Sequence, residues 1–175
     1  MDCLEIEIKA YCDDLPKCID RAVSLGAVEA GRSFESDMYF NHPSRDFGLT
    51  DEALRIRSTG EDTILTYKGP KLSARAKTRI EKEVPVGDNG SMNAILEFLG
   101  FVLFGRVRKE RIMYRLDDVL LCFDRIDDLG TFVELEKKGT EKERIEIELF
   151  DMAARLGLDR FETKSYLELL KHRHS

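Results

Sequence analysis

The chain has 175 residues, of which 42% are hydrophobic and 35% are charged, and its net charge at pH 7 is −6. This acidic balance disfavours non-specific binding to nucleic acid or to an anionic membrane, so an anionic ligand must meet a local cluster of cations. The start of the chain does not read as a signal peptide, and no apolar run approaches the length of a membrane span. We therefore expect a cytoplasmic protein.

No Pro/Ser-rich linker divides the chain, so we expect a single domain over residues 1–175. Its four cysteines, Cys3, Cys12, Cys18 and Cys122, form no CxxC pair and no Cys/His spacing typical of zinc sites. Reduced and mostly buried thiols are the expected state.

Alternating apolar and polar residues predict seven strands. In chain order these are LEIEIKA (4–10), ALRIRS (53–58), TILTYKG (63–69), TRIEKEVPV (78–86), VRKERIMYRL (107–116), VLLCFDRI (119–126) and TFVELEKK (131–138). Asp117 and Asp118 have hairpin-turn spacing, and the DDLG sequence at 127–130 separates the last two strands. The sheet is therefore predicted to be antiparallel.

Four segments with apolar residues at helical spacing predict helices over residues 15–26, 92–100, 143–157 and 165–173. Asp14 is the expected N-cap of the first helix and Ser91 of the second, while Thr140 and Glu143 have the capping-box spacing before the third. The segment from Asp37 to Glu52 has no clear period. We predict a surface loop there, which could lie near a ligand.

Most predicted strands carry charges on one face and apolar residues on the other. The charges are also sorted by sign: Glu5/Glu7 and Glu134/Glu136 are carboxylate pairs, and Arg55/Arg57 and Lys109/Arg111 are cation pairs. A one-sided sheet facing water is one explanation, and a barrel with its charges inside and helices outside is the other. Paired carboxylates suit a divalent cation, and converging Arg and Lys suit a phosphate chain.

A series of motifs in order resembles the CYTH family, also called triphosphate tunnel metalloenzymes. These motifs are EIEIK (5–9), LRIR, TYKGP, RIEKEV, RKERIMY, LCFDRIDDLGTFVELE and KSYLELL. The resemblance implies an α+β fold, an eight-stranded antiparallel closed β-barrel with helices packed on the outside. Its interior is expected to bind a triphosphate and a divalent metal.

Within that family the chain is similar in length and in its DRIDDLGTFVELE segment to the class IV adenylyl cyclases (CyaB-like), which convert ATP to cyclic AMP and pyrophosphate. Thiamine triphosphatase and tripolyphosphatase share the scaffold, so release of orthophosphate is the alternative. A non-catalytic triphosphate or polyphosphate-binding module and an interaction module with an exposed charged sheet are two further alternatives. A homodimer is possible, and no nucleic-acid or membrane partner is expected.

The resemblance also implies residue roles. Mg²⁺ or Mn²⁺ would be bound by Glu5, Glu7, Asp124, Glu134 and Glu136, with Glu81 and Glu83 either supporting a second metal or pairing with cations. The triphosphate would be held by Lys9, Arg55, Arg57, Lys68, Arg79, Lys109 and Arg111. Lys9 is also the candidate for proton transfer, and Phe47 or Arg45 could contact a base at the tunnel mouth.

Overall fold

The computed structural model describes residues 4–60, 62–72 and 77–173. The strands are β1 Leu4–Tyr11, β2 Val28–Asn41, β3 Ala53–Ser58, β4 Thr63–Lys68, β5 Lys77–Arg79, β6 Glu81–Val86, β7 Val102–Leu116, β8 Val119–Ile126 and β9 Gly130–Gly139. The helices are α1 Leu15–Ser24, α2 Phe47–Thr50, α3 Asn89–Phe98, α4 Lys142–Leu156 and α5 Tyr166–Arg173. No helix in these ranges is both long enough and apolar enough to span a bilayer.

The strands form one antiparallel sheet in the order β5-β1-β9-β8-β7-β2-β3-β4-β6. Its two end strands, β5 and β6, are consecutive in the chain and separated only by Ile80. Strand β5 pairs with β1, and β6 pairs with β4. The sheet thus curls until one stretch of chain joins both of its ends. Counted as a single strand, residues 77–86 complete the predicted eight-stranded antiparallel barrel, with only three residue pairs linking β5 to β1.

All seven predicted strands are present, but the prediction of a loop from Asp37 to Glu52 was wrong. Residues up to Asn41 belong to β2, which pairs with both β7 and β3, and Phe47–Thr50 form one helical turn. The first part of β2, Val28–Ala30, is exposed on both faces, so it lacks the alternation that marks a half-buried strand. Pairing with the long β7 holds this part of the strand in place.

The four predicted helices are confirmed, and two of their predicted caps are not. Asp14 caps α1 by accepting a hydrogen bond from the Lys17 amide at 3.0 Å. Helix α3 is capped by Asp88, which accepts from the Ser91 amide at 2.6 Å, so Ser91 lies inside the helix. The N-cap of α4 is Glu141, without a side-chain capping bond, so the predicted capping box does not form.

The apolar outer face of the barrel is covered by α1 and α4. Ile6 on β1 and Leu135 on β9 are fully buried in one core with Leu149 of α4 and Ala22 of α1. Each large aliphatic side chain buried in this way stabilises the fold by roughly 1.5–3 kcal/mol. Because successive residues of a strand point to opposite faces, this core directs the alternating charged residues of β1 and β9 into the barrel.

The expectation for the cysteines holds where the chain is described. Cys12, Cys18 and Cys122 are buried free thiols, and Cys3 lies outside the described residues.

Candidate functional site

The barrel encloses an open cavity of about 660 Å³. Twelve carboxylate residues and ten Lys or Arg residues are among the described residues that line it. The lining includes these predicted site residues: Glu5, Glu7, Arg55, Arg57, Lys68, Arg79, Glu81, Glu83, Lys109, Arg111, Glu134 and Glu136. The structure therefore brings both predicted charge sets into one space.

Three carboxylates, Glu7, Glu134 and Glu136, form the cluster best placed to hold a metal. Each offers an oxygen, and these oxygens all lie within 4.8 Å of one another. The register of the sheet causes this, because Glu7 on β1 lies directly opposite Glu136 on β9, and Glu134 is on the same face two residues earlier. Carboxylate oxygens are the ligands preferred by hard divalent cations.

The electrostatics of this cluster also fit a cation. Burial raises the pKa of Glu136 to about 8, and repulsion from Glu7, Glu134 and Glu5 adds to this rise despite the opposing charge of Arg111. The carboxyl group of Glu136 thus lies where negative charge is only partly compensated. A divalent ion would supply the missing positive charge.

Glu5 lies apart from this cluster, beside Glu81. Burial and then repulsion from Glu81 raise the pKa of Glu5, and the Lys138 ammonium lies 3.6 Å from its carboxylate. Glu81 is bound to Lys68 at 2.5 Å. Glu83 accepts a hydrogen bond from Thr66 at 3.0 Å and lies 3.6 Å from Arg55. Of the two roles predicted for Glu81 and Glu83, these contacts match pairing with the cations of the cavity.

Arg111 links the carboxylate cluster to the cations. Its guanidinium binds Asp124 through two hydrogen bonds of 2.7 and 2.6 Å, also binds Glu134, and lies 3.5 Å from Glu136. Although burial opposes its charge, attraction mainly from Asp124, with a smaller effect of Glu134, holds the pKa of Arg111 well above its usual value. Lys109 lies 3.8 Å from the same Asp124.

Two carboxylates of β2, Glu35 and Asp37, belong to the cavity and were missed from the sequence. Asp37 accepts two hydrogen bonds of 2.8 Å from Arg57, and Glu35 lies 2.9 Å from Arg57 and 3.1 Å from Lys109. Burial opposes ionisation, but the hydrogen bonds and charge of Arg57 hold the pKa of Asp37 well below its usual range. The alternation in FESDMYF (34–40), which overlaps the start of the segment predicted as a loop, was the available signal.

Arg55 and Arg79 occupy different surroundings. Arg55 is buried, donates to the Thr66 hydroxyl at 3.1 Å, and has an Nε with no hydrogen-bond partner. Arg79 lies 3.6 Å from Asp51.

Lys9 and Asp124 are buried behind the cavity wall and do not line it. Lys9 is 1% exposed, and its ammonium donates to the Lys164 carbonyl and lies 4.1 Å from the centre of the Tyr166 ring. Asp124 is fully buried and accepts a hydrogen bond from the Tyr166 hydroxyl at 2.9 Å. In this arrangement the Lys9 ammonium contacts Lys164 and Tyr166, and Asp124 contacts Arg111. Proton transfer by Lys9 stays a prediction.

The lining of the cavity includes the aromatic residues Tyr39, Phe47 and Phe104. Phe47 is the predicted base-contacting residue that reaches the lining. Arg45 does not line the cavity: its guanidinium lies 5.3 Å from the Phe47 ring and 3.1 Å from Glu52.

Comparison with known proteins agrees with this architecture. A Methanocaldococcus jannaschii protein named "Putative adenylate cyclase MJ0240" is 39% identical over 171 residues, covering 95% of this chain and 98% of that protein. The solved structure of PH1819 from Pyrococcus horikoshii OT3 has a TM-score of 0.88 and 34% identity, covering 97% of this chain and 99% of that one.

A more distant solved structure shares the fold. Hippeastrum HpAC1, described as a "putative adenylyl cyclase" with a dominant triphosphatase activity, has a TM-score of 0.72 and 20% identity, with 98% of this chain and 96% of that chain covered. The profile of the CYTH domain matches residues 4–166, nearly the whole length. The chain therefore belongs to the CYTH family.

Proposed function

We propose that this protein is a divalent-metal-dependent enzyme acting on a triphosphate, and specifically that it converts ATP to cyclic AMP and pyrophosphate. The observation that carries the proposal is the meeting of two groups in one cavity. The carboxylates Glu7, Glu134 and Glu136 lie beside a set of Lys and Arg side chains, and Arg111 contacts both groups.

The balance of charge supports the need for a metal. Among the described residues that line the cavity, twelve carboxylates outnumber ten cations, so these residues do not attract a polyanion by excess positive charge. A triphosphate would enter with Mg²⁺ or Mn²⁺, and Glu7, Glu134 and Glu136 are the residues that would hold the ion. Such an ion neutralises phosphate charge and stabilises the charge that develops during phosphoryl or nucleotidyl transfer.

The cations would bind and orient the phosphates. Arg57 and Arg111 are held in fixed directions by paired hydrogen bonds to Asp37 and Asp124, so their remaining N–H groups need little reordering when a phosphate binds. Lys68 and Lys109 add charge from the neighbouring strands. Reactions of this type depend on position and charge neutralisation more than on a protein nucleophile.

The size of the cavity and the relative from M. jannaschii favour a nucleotide as the substrate. A volume of about 660 Å³ falls within the usual range for sites that enclose small organic ligands, roughly 300–1,000 Å³. Tyr39 and Phe104 in the lining offer rings that a base could contact. Cyclisation would require the ribose 3′-hydroxyl to face the α-phosphorus.

Product analysis tests the proposal. Purified protein is incubated with ATP, thiamine triphosphate or tripolyphosphate, each with Mg²⁺ and with Mn²⁺, and the products are separated by chromatography. Cyclic AMP together with pyrophosphate is the expected result. Orthophosphate from tripolyphosphate or thiamine triphosphate as the better substrate would replace the cyclase with a phosphohydrolase. Binding without turnover of any substrate would indicate a non-catalytic module.

A further inference from the structure

We infer that Tyr166 is a positioning residue, which fixes Asp124 so that Asp124 orients Arg111 toward the phosphates and does not bind the metal. The inference rests on the proposed function, because it assigns how one side of the same cavity is built. Tyr166 lies in α5, 42 residues after its hydrogen-bond partner Asp124.

A chain of hydrogen bonds leads from Tyr166 to Arg111 in the cavity. The Tyr166 hydroxyl donates to Asp124 Oδ2 at 2.9 Å. The two oxygens of Asp124 in turn accept from Nε and Nη2 of Arg111 at 2.7 and 2.6 Å. A two-point contact of this kind fixes the plane of the guanidinium as well as its position. The tyrosine hydroxyl therefore sets the direction of Arg111 through one intermediate carboxylate.

Both carboxylate oxygens of Asp124 are engaged in hydrogen bonds. Both of them accept hydrogen bonds from Arg111, Oδ2 also accepts the bond from Tyr166, and the side chain is completely buried. Three of its roughly four lone-pair positions are thereby occupied, which leaves Asp124 little capacity for a cation. By contrast, the cluster of Glu7, Glu134 and Glu136 can converge without Asp124.

The Tyr166 ring is held in place by packing contacts of its own. Its ring makes an edge contact with Phe132 at a centroid distance of 5.1 Å, and the Lys9 and Lys109 ammonium groups lie 4.1 and 5.4 Å from its centre. The neighbouring Lys164 carbonyl accepts a hydrogen bond from Lys9. The ring is thus fixed by aromatic and cation contacts that do not need the hydroxyl, so Tyr166→Phe should preserve the fold.

The experiment compares wild type with Tyr166→Phe and uses Tyr11→Phe as the matched control. Tyr11 also donates to a carboxylate, Glu162, at 2.8 Å, but it does not line the cavity and its hydroxyl does not reach Asp124. Binding of Mg²⁺-pyrophosphate is measured by calorimetry, because pyrophosphate carries the same phosphate contacts and is a product of the proposed reaction. Steady-state kinetics and a Mg²⁺ titration with ATP complete the set.

We expect Tyr166→Phe to weaken Mg²⁺-pyrophosphate binding about tenfold, equivalent to about 1.4 kcal/mol, and to raise KM for ATP, with the Mg²⁺ midpoint unchanged. Tyr11→Phe should bind as wild type does. Asp124→Asn should reproduce the effect of Tyr166→Phe and keep the Mg²⁺ midpoint. In an Arg111→Met background, Tyr166→Phe should have little additional effect, which a merely structural role would not produce.

Equal binding by wild type and Tyr166→Phe would overturn the inference, as would a large shift in the Mg²⁺ midpoint for Asp124→Asn. An effect of Tyr166→Phe that is equally large without Arg111 would also overturn it. If wild type itself bound neither pyrophosphate nor a triphosphate with metal present, the proposed function would fail instead.

Discussion

Replacement of Glu136 by glutamine should stabilise the metal-free protein at alkaline pH. Burial and the neighbouring carboxylates raise the pKa of Glu136 from 4.5 to about 8 in the folded state. Between these two values the unfolded chain has released this proton and the folded chain still holds it. The folded state therefore binds more protons, so its free energy of unfolding falls as the pH rises. Glutamine carries no such proton.

The magnitude follows from the two pKa values. The free energy of unfolding should fall by about 1.4 kcal/mol for each pH unit in this window, or about 5 kcal/mol over the whole of it. Losing the 3.5 Å contact between Glu136 and Arg111 offsets up to about 1 kcal/mol. For a chain of this length, about 2–4 °C in Tm per kcal/mol then predicts a Tm at pH 8.5 higher by about 8–16 °C.

Calorimetric unfolding in EDTA at pH 5.5 and pH 8.5 measures this difference. Glu136→Gln should gain more stability over wild type at pH 8.5 than at pH 5.5, and it should lose the stabilisation that Mg²⁺ gives to wild type, together with most metal-dependent turnover. Glu110→Gln, on the exposed outer face of β7, is the matched control.

A Glu136→Gln variant less stable than wild type at pH 8.5, or an equal gain at both pH values, would refute the electrostatic account of the cluster. Full turnover at saturating Mg²⁺ would remove Glu136 from the metal site.

Three further predictions concern the cations and the need for metal. Replacing Lys68, Lys109 or Arg111 with alanine should weaken triphosphate binding by roughly 1–3 kcal/mol each, measured by calorimetric titration. Tripolyphosphate should bind wild type at least about tenfold more tightly with Mg²⁺ than in EDTA, because carboxylates outnumber cations among the described residues of the lining. Asp37→Asn should lower the free energy of unfolding by about 3 kcal/mol in urea titrations, because it removes the buried negative charge and one of the two acceptors that pair with Arg57.

Each of these has a control or a contrary outcome. Arg125→Ala, on the exposed outer face of β8, should leave triphosphate affinity unchanged. Wild-type affinity in all three cation variants would place those side chains outside the binding site. Equal affinity for tripolyphosphate with and without Mg²⁺ would show that the cations suffice. An unchanged urea midpoint for Asp37→Asn would mean that Glu35 alone compensates Arg57.

The sequence predicted the parts of the site that depend on local alternation. In β1 and β9 the period of two residues places Glu5, Glu7, Glu134 and Glu136 on one face, and pairing of the two strands brings Glu7 opposite Glu136. Whether that face pointed to water or into a barrel could not be read from the pattern. It depends on the curl of the whole sheet and on its closure at residues 77–86.

The parts that were not predicted depend on contacts distant in the chain. Lys9 carries the same alternation as Glu7, but Lys164, 155 residues later, and the Tyr166 ring take up its ammonium group. Asp124 is likewise turned toward Arg111 and Tyr166 by burial. Asp37 was overlooked because the turn residues that follow Asn41 suggested a loop from Asp37 to Glu52, and Glu35 lay in no predicted element. Pairing with β3 and β7 keeps this stretch of chain extended.

The pairing of β1 with β9 has a consequence for synthesis of the protein on the ribosome. Strand β1, Leu4–Tyr11, forms its longest pairing with Gly130–Gly139. More than a hundred residues must therefore be synthesised after β1 before this partner strand leaves the exit tunnel. Contacts that join the two ends of a chain form slowly, and the waiting strand exposes Ile6 and Ile8 in the meantime. Nascent chains that stop before residue 130 should therefore be held by chaperones, with neither the barrel nor the Glu7, Glu134 and Glu136 cluster assembled.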